Sequence, residues 1–204
     1  MNLEGKNIIL TGGSLGIGKE TAKSLINKGA NVLITGRSEE RLIKTCKDKK
    51  SKVIEFDIGD IDNISLNAKK CIEILDNRVD VLINNAGIGV RRSIEELNIN
   101  DFLNVFNVNV FGLSLFTKEI IPLMKKRNRG TIVNIGSTAS LKGYKNGSIY
   151  ASSKFAVRCL TQCWQDELRP HNIRVCQINP SEVTTAFGNS KRVEREEVHN
   201  KLTP

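Results

Sequence analysis

Residues 7–20 read NIILTGGSLGIGKE. The opening NIILT is a short apolar run, expected as a buried strand over 7–11. An amphipathic pattern from residue 16 predicts a helix over 16–29, with Gly29 as its stop. The turn between them carries Gly12, Gly16 and Gly18 in G-x-x-x-G-x-G spacing. Such a strand-to-helix turn lets backbone approach a pyrophosphate, and the helix N-terminus adds N–H groups and a favourable dipole. A competing motif overlaps it. Gly13 to Lys19 fits G-x-x-x-x-G-K, most of a triphosphate-binding loop. That loop needs Ser or Thr next, to hold magnesium. Here Glu20 follows, and its carboxylate would repel phosphate oxygens. A glycine pattern alone remains a weak signal.

Working outward, the alternation continues. Strands are expected at 31–35 (NVLIT), 52–56 (KVIEF), 79–85 (VDVLINN), 131–137 (TIVNIGS) and 173–179 (IRVCQIN). Helices are expected at 38–50, 60–76, 100–127 and 149–169, with Pro122 expected to kink or divide the long one. Near-continuously apolar strands alternating with helices imply an α/β fold with a doubly wound parallel sheet covered on both faces. No linker or repeat divides the chain, so 1–204 reads as one domain. Residues 190–204 read as a polar helix or mobile tail.

Composition fits that reading. The chain has 204 residues, 39% hydrophobic and 26% charged. No apolar run is long enough for a bilayer, and the N-terminus carries no signal-peptide pattern, so a cytoplasmic location without membrane partners is expected. Five cysteines (Cys46, Cys71, Cys159, Cys163 and Cys176) are an odd number without framework spacing, which fits reduced thiols. Cys159 and Cys163 lie four apart, but His171 and His199 are not at ligand spacing, so no metal site is expected. The net charge is +9. Its densest groups, KDKK (47–50) and KKRNR (125–129), fall at expected helix ends without interleaved aromatics. Nucleic acid is therefore not an expected partner, whereas an anionic cofactor or substrate is.

Two positions refine the cofactor. The second strand ends ITGRS, with Arg37 and no carboxylate at its tip. A guanidinium matches a ribose 2′-phosphate, so NADP(H) is favoured over NAD(H), although Arg37 alone would read as a solvated helix-start residue. The third strand ends EFDIGD. Asp57, at a sheet edge where ligands lie, is placed to accept from an adenine amino group or to cap the next helix.

The segments TGGSLGIG, FDI, NNAG (84–87), NVNVFG (107–112), IVNIGS (132–137), YASSK (150–154) and INPSEVTT (178–185) occur in one order along the chain. In that order and spacing the chain resembles the short-chain dehydrogenase/reductase superfamily over nearly its whole length, with 3-oxoacyl and carbonyl reductases among the similar members. The resemblance implies a three-layer Rossmann fold. It implies hydride transfer between a nicotinamide cofactor and a carbonyl or secondary alcohol. It also implies a catalytic tetrad of Asn109, Ser137, Tyr150 and Lys154. Tyr150 would be the acid/base, with Lys154 four residues on along one helix face lowering its pKa and binding the nicotinamide ribose. Ser137 would hold the substrate oxygen, and Asn109 would anchor a water. Cofactor contacts are implied at Gly12, Ser14, Leu15, Gly16, Ile17, Gly18, Arg37, Asp57, Ile58, Asn85, Ala86, Gly87, Tyr150, Lys154, Pro180, Val183 and Thr185, while Asn84 is more structural.

The sequence departs from the family pattern in three places. Leu15 stands where NADP(H)-preferring relatives often carry a basic residue. Pro180-Ser181 replaces Pro-Gly, although Thr185 keeps the position of the carboxamide-binding threonine. The chain also stops about one helix and one strand early, so the C-terminal strand reads as missing. A homodimer through the helices at 100–127 and 149–169 is expected, with a tetramer disfavoured. In AFGNSKRVEREEV, basic Lys191, Arg192 and Arg195 could greet an acidic carrier, but Glu194, Glu196 and Glu197 dilute that charge, and a solvated lid helix is the preferred reading. The competing function is a catalytically weak or inactive dinucleotide-binding regulatory or scaffold protein on the same fold.

Overall fold

The computed structural model describes residues 2–45, 51–185 and 187–188. Cys46, the 47–50 lysine cluster, His199 and the expected tail lie outside them. Six strands form one sheet: β1 (Asn7–Thr11), β2 (Asn31–Gly36), β3 (Ser51–Glu55), β4 (Val81–Asn84), β5 (Gly130–Ile135) and β6 (Ile173–Ile178). All neighbouring pairs are parallel, in the order β3-β2-β1-β4-β5-β6. Helices α1 (Gly16–Asn27), α2 (Glu39–Thr45), α3 (Ile64–Ile74), α4 (Ile99–Phe106), α5 (Leu113–Lys126) and α6 (Ser148–Leu168) supply the crossovers.

Strand residues alternate between two cores because successive side chains leave opposite faces. Ile8 and Leu10 of β1 join Ala22, Ile26 and Leu42 from α1 and α2 on one face. Ile9 joins Ala68, Phe116, Ile120 and Leu168 from α3, α5 and α6 on the other. This two-sided burial explains why the strands read as continuous apolar runs. The chain runs outward from β1 to β3, then returns to build β4, β5 and β6 on the other side. The β1/β4 boundary is therefore the topological switch point, and its C-terminal crevice is where such sheets bind ligands.

The long helix breaks elsewhere than at Pro122. Pro122 sits inside α5, while the interruption is a π-helical segment, Asn107–Gly112, between α4 and α5. Its cause is tertiary. Val108, Asn109, Val110 and Gly112 are buried, and a Cβ at Gly112 would run into the Ile58 carbonyl. Such π turns recur at functional sites.

Candidate active site

The glycine turn is built without room for side chains. Gly12 has φ +67°, and a Cβ there would lie 2.7 Å from the Ala86 Cα. A Cβ on Gly18 would strike the Gly12 carbonyl and lie 2.5 Å from Asn85 Nδ2. Asn85 clips the turn in place: Nδ2 donates to the Thr11 and Gly12 carbonyls at 2.9 and 2.8 Å. The Thr11 hydroxyl accepts from the Asn85 and Ala86 N–H groups at 3.1 Å each. Leu15 occupies the N-cap of α1 in extended conformation and makes no side-chain cap, and the first turn holds no acid. Free N–H donors at the end of a 12-residue helix, beside backbone stripped of Cβ atoms, fit a pyrophosphate. Ser14, Gly16 and Ile17 sit half-buried along this turn. The Thr185 side chain closes over it, 3.0 Å from where a Gly16 Cβ would stand. A cavity of about 650 Å³ lies between Ile17, Thr21 and Leu25 of α1 and Val183 to Thr185. Tyr150 and Ser137 do not line it, so it is separate from the chemistry below.

At the tips of β2 and β3, Arg37 Nη1 stands 3.7 Å from Asp57 Oδ2, with both side chains about two-fifths exposed. Asp57 Oδ1 also accepts from the Gly59 N–H at 2.8 Å. Ile58 beside it is buried. Arg37 and Asp57 thus flank one rim of the crevice as an exposed, weakly held pair.

The four tetrad residues converge from three elements. Asn109, on the π segment, is fully buried. Its Oδ1 accepts from Ile88 N at 2.9 Å, and its Nδ2 donates to Ile88 O at 2.9 Å and Ser153 Oγ at 3.0 Å. Both amide N–H groups are committed, so the side chain braces the 86–88 loop against α6. A water relay at Asn109 would have to use its main chain. Gly87 fits between, since a Cβ there would lie 3.4 Å from Asn109 Oδ1 and 3.6 Å from Lys154 Nζ.

The Ser137 hydroxyl lies close enough to the Tyr150 phenol to act on its proton affinity. Burial pushes the Tyr150 phenol above its usual pKa; the Ser137 hydroxyl opposes this and the nearby Tyr144 phenol adds to it. Lys154 is 4% exposed, and its ammonium donates to the Ile135 carbonyl at 2.8 Å. It lies 5.9 Å from the centroid of the Tyr150 ring. Burial lowers its pKa from 10.5 to about 8. The pair therefore shares a face, as four-residue spacing requires, yet burial rather than the lysine dominates the tyrosine here.

Sequence reasoning missed several supporting residues. Asn179 Oδ1 accepts from the Ser137 N–H at 3.2 Å and from Gln177 Nε2 at 2.5 Å. Ser140 Oγ accepts from the same Ser137 N–H at 3.1 Å. Gly136 is needed because a Cβ would strike the Gln177 and Asn179 side chains. The β5/β6 register, Ile135 opposite Ile178, puts the residues that follow side by side. That pairing is non-local and has no mark in either segment. Pro180 accepts from the Thr138 N–H at 3.0 Å, tying the same two loops. Phe187 packs on Tyr150, with ring centroids 5.5 Å apart. Among the described residues no group of three or more His, Cys, Asp or Glu is arranged for a metal, and Cys71, Cys159, Cys163 and Cys176 are free thiols. No described helix is long and apolar enough to cross a membrane.

Comparison with known proteins places this geometry. The family model described as short chain dehydrogenase matches residues 6–196. Dehydrogenase/reductase SDR family member 7B of Xenopus laevis is 32% identical over 194 residues, covering 90% of this chain and 60% of the relative. The chain thus spans about three-fifths of that relative's length. The NADP-dependent 3-hydroxy acid dehydrogenase of Schizosaccharomyces pombe is 32% identical over 196 residues, covering 91% of this chain and 74% of that protein. The crystal structure of 3-ketoacyl-(acyl-carrier-protein) reductase from Brucella melitensis, complexed with NADH, superposes with TM-score 0.83 at 29% identity, covering 88% of this chain and 76% of that one.

Proposed function

The chain belongs to the short chain dehydrogenase family, and from that premise we propose that it reduces a carbonyl, or oxidises a secondary alcohol, with NADP(H) and with Tyr150 as the acid/base. The observation that carries this reading is the Ser137–Tyr150 hydroxyl pair beside the buried Lys154 ammonium. Bound NADPH supplies the hydride. The chain's own residues do the rest. The α1 N-terminus and the Gly12–Gly18 turn hold the pyrophosphate, with Asn85, Ala86 and Gly87 along the adjoining wall. Val183 and Thr185 cover it. Ser137 and Tyr150 both hydrogen-bond the substrate oxygen, and Tyr150 donates its proton as charge develops there. The phenol keeps that proton at neutral pH, so it is available for donation. The Lys154 charge stabilises the phenolate that remains.

Cofactor choice rests on Arg37. Its guanidinium would take the 2′-phosphate while Asp57 meets the adenine amino group. The S. pombe relative is NADP-dependent and the B. melitensis reductase holds NADH, so the choice must be measured here. NADPH is expected to bind at least about tenfold more tightly than NADH by fluorescence titration. Arg37→Gln is expected to weaken NADPH about 10–100-fold and NADH little, the size of a lost charge-assisted contact. Equal or tighter NADH binding by the wild type would remove Arg37 from this role and leave the carbonyl chemistry standing.

We further propose a homodimer. Leu103, Phe111, Leu115 and Phe155 expose apolar surface on α4, α5, α6 and the segment between, and a second copy would cover it. Light scattering at micromolar concentration is expected to give twice the chain mass. A monodisperse monomer would refute the dimer.

A further inference from the structure

Two loops form the mouth of the cleft above Tyr150. One follows β4 and runs through Gly89 to Arg92. The other follows the Ser137 turn and runs from Leu141 to Gly147. The Arg92 N–H donates to the Asn146 carbonyl at 3.1 Å, which ties them together. A second tie is the Arg91 guanidinium, which lies over the Tyr144 ring with Cζ 5.7 Å from its centroid. The Tyr144 ring itself folds onto the 147 position, where a Cβ would lie 2.7 Å from the ring. Its phenol is close enough to Tyr150 to raise that group's pKa. At the other end of the same loop, a Cβ on Gly89 would lie 3.3 Å from the Tyr150 ring and 3.1 Å from the Phe187 ring. Arg91 and the Tyr150 phenol therefore belong to one opening.

The two adjacent arginines differ in state. Arg92 is spent, donating from Nε to Asp101 at 2.8 Å. Arg91 has no carboxylate partner among the described residues, nor do the exposed Lys142 and Lys145 that flank Tyr144 in sequence. Glu96, a nearby acid, is occupied by Ser93. Apolar surface is exposed on the same loop and on the Tyr150 ring's neighbour: Leu141, Tyr144 and Phe187 are each two-fifths or more exposed. A guanidinium is only weakly hydrated and carries a planar fork of donors, and an aromatic ring beneath it leaves that fork open to carboxylate or phosphate oxygens.

We propose that the substrate is amphipathic and anionic. Its carbonyl meets Ser137 and Tyr150, its apolar body lies along Leu141 and Phe187, and its carboxylate or phosphate end is held by Arg91, with Lys142 and Lys145 adding attraction. This rests on the carbonyl-reductase reading for the first contact only; the anion contact stands on the mouth itself.

The test is calorimetric binding of three redox-inert probes to the full chain: octanoate, octyl phosphate and the neutral isostere octanamide. At least one anion is expected to bind ten times more tightly than octanamide, and the stronger of the two identifies the headgroup. Arg91→Gln is expected to reduce that preference to about twofold or less. Arg91→Lys should keep only part of it, since an ammonium keeps the charge and loses the planar fork of donors. Raising salt to 0.5 M should weaken the anion alone. Binding of octanamide as tight as that of both anions by the wild type would overturn the proposal, as would a preference that survives Arg91→Gln in a variant with unchanged circular dichroism. Turnover of 3-oxooctanoate with NADPH separates the two readings. An Arg91-dependent anion preference with no NADPH oxidation by 3-oxooctanoate or any other carbonyl offered leaves the anion site standing and counts against the reductase.

Discussion

Tyr150→Phe is expected to lower kcat by about 10²–10⁴-fold, the range for loss of a positioned general acid, while NADPH affinity stays within about twofold of wild type. The ring keeps its packing against Phe187, and only the hydroxyl beside Ser137 is removed. Hydride delivery then leaves an alkoxide with no proton donor beside it. Steady-state NADPH oxidation with a responsive ketone or aldehyde, paired with fluorescence titration, reads both numbers. Activity within tenfold of wild type would show that another group supplies the proton. A wild type that binds NADPH and oxidises none with any carbonyl offered would favour the regulatory dinucleotide-binding reading instead.

Lys154→Met is expected to remove most activity and to make the protein more stable. The ammonium is 4% exposed and has one hydrogen bond, to Ile135. Its pKa of about 8 against an ordinary 10.5 corresponds to about 3 kcal/mol of preference for the neutral form in the folded state. Below pH 8 the lysine is charged both folded and unfolded, so the whole penalty is present. As pH rises from 8 to 10.5 the folded chain gives up its proton first, and the penalty disappears. Methionine fills a similar volume without charge. After allowance for the lost hydrogen bond, a gain of about 1–2 kcal/mol is expected at pH 7, or about 2–8 °C in Tm. The gain should vanish near pH 10.5. Calorimetric melting at both pH values measures it, and a variant less stable than wild type at pH 7 would contradict the buried-charge account. A side chain kept against its own stability cost is a sign of use.

Much of the fold could be read from short apolar runs. β1 and β2 begin at the expected residues because a strand buried on both faces carries its signal in every position. The glycine turn was equally readable because its spacing is a local motif, although the clashes that demand Gly12 and Gly18 come in part from Ala86 and Asn85 across the sheet. What escaped was non-local. Pro122 is the visible helix breaker, yet α5 runs through it. The actual interruption follows from Gly112 meeting the Ile58 carbonyl, a contact between segments far apart in the chain. Asn179 and Gln177 support Ser137 only because β5 and β6 are neighbours. Helix spacing correctly put Tyr150 and Lys154 on one face. It could not reveal that burial acts on both, raising the phenol and lowering the ammonium.

The π segment has a consequence for the chain's tolerance of length change. Residues 107–112 hold more residues per turn than an α-helix would. Removing any one of them offers the chain an unbroken α-helix from Ile99 to Lys126. Each residue of an α-helix turns it by about 100°, so that repair would rotate α5 relative to α4 by about that angle. Then either Asn109 swings away from Ile88, or the row Phe116, Ile120 and Met124 swings out of the core. The segment acts as a phase lock, in which catalytic bracing and hydrophobic packing are indexed to the same residue count. Substitutions here act locally, whereas a single deletion puts the two halves of the helix out of phase.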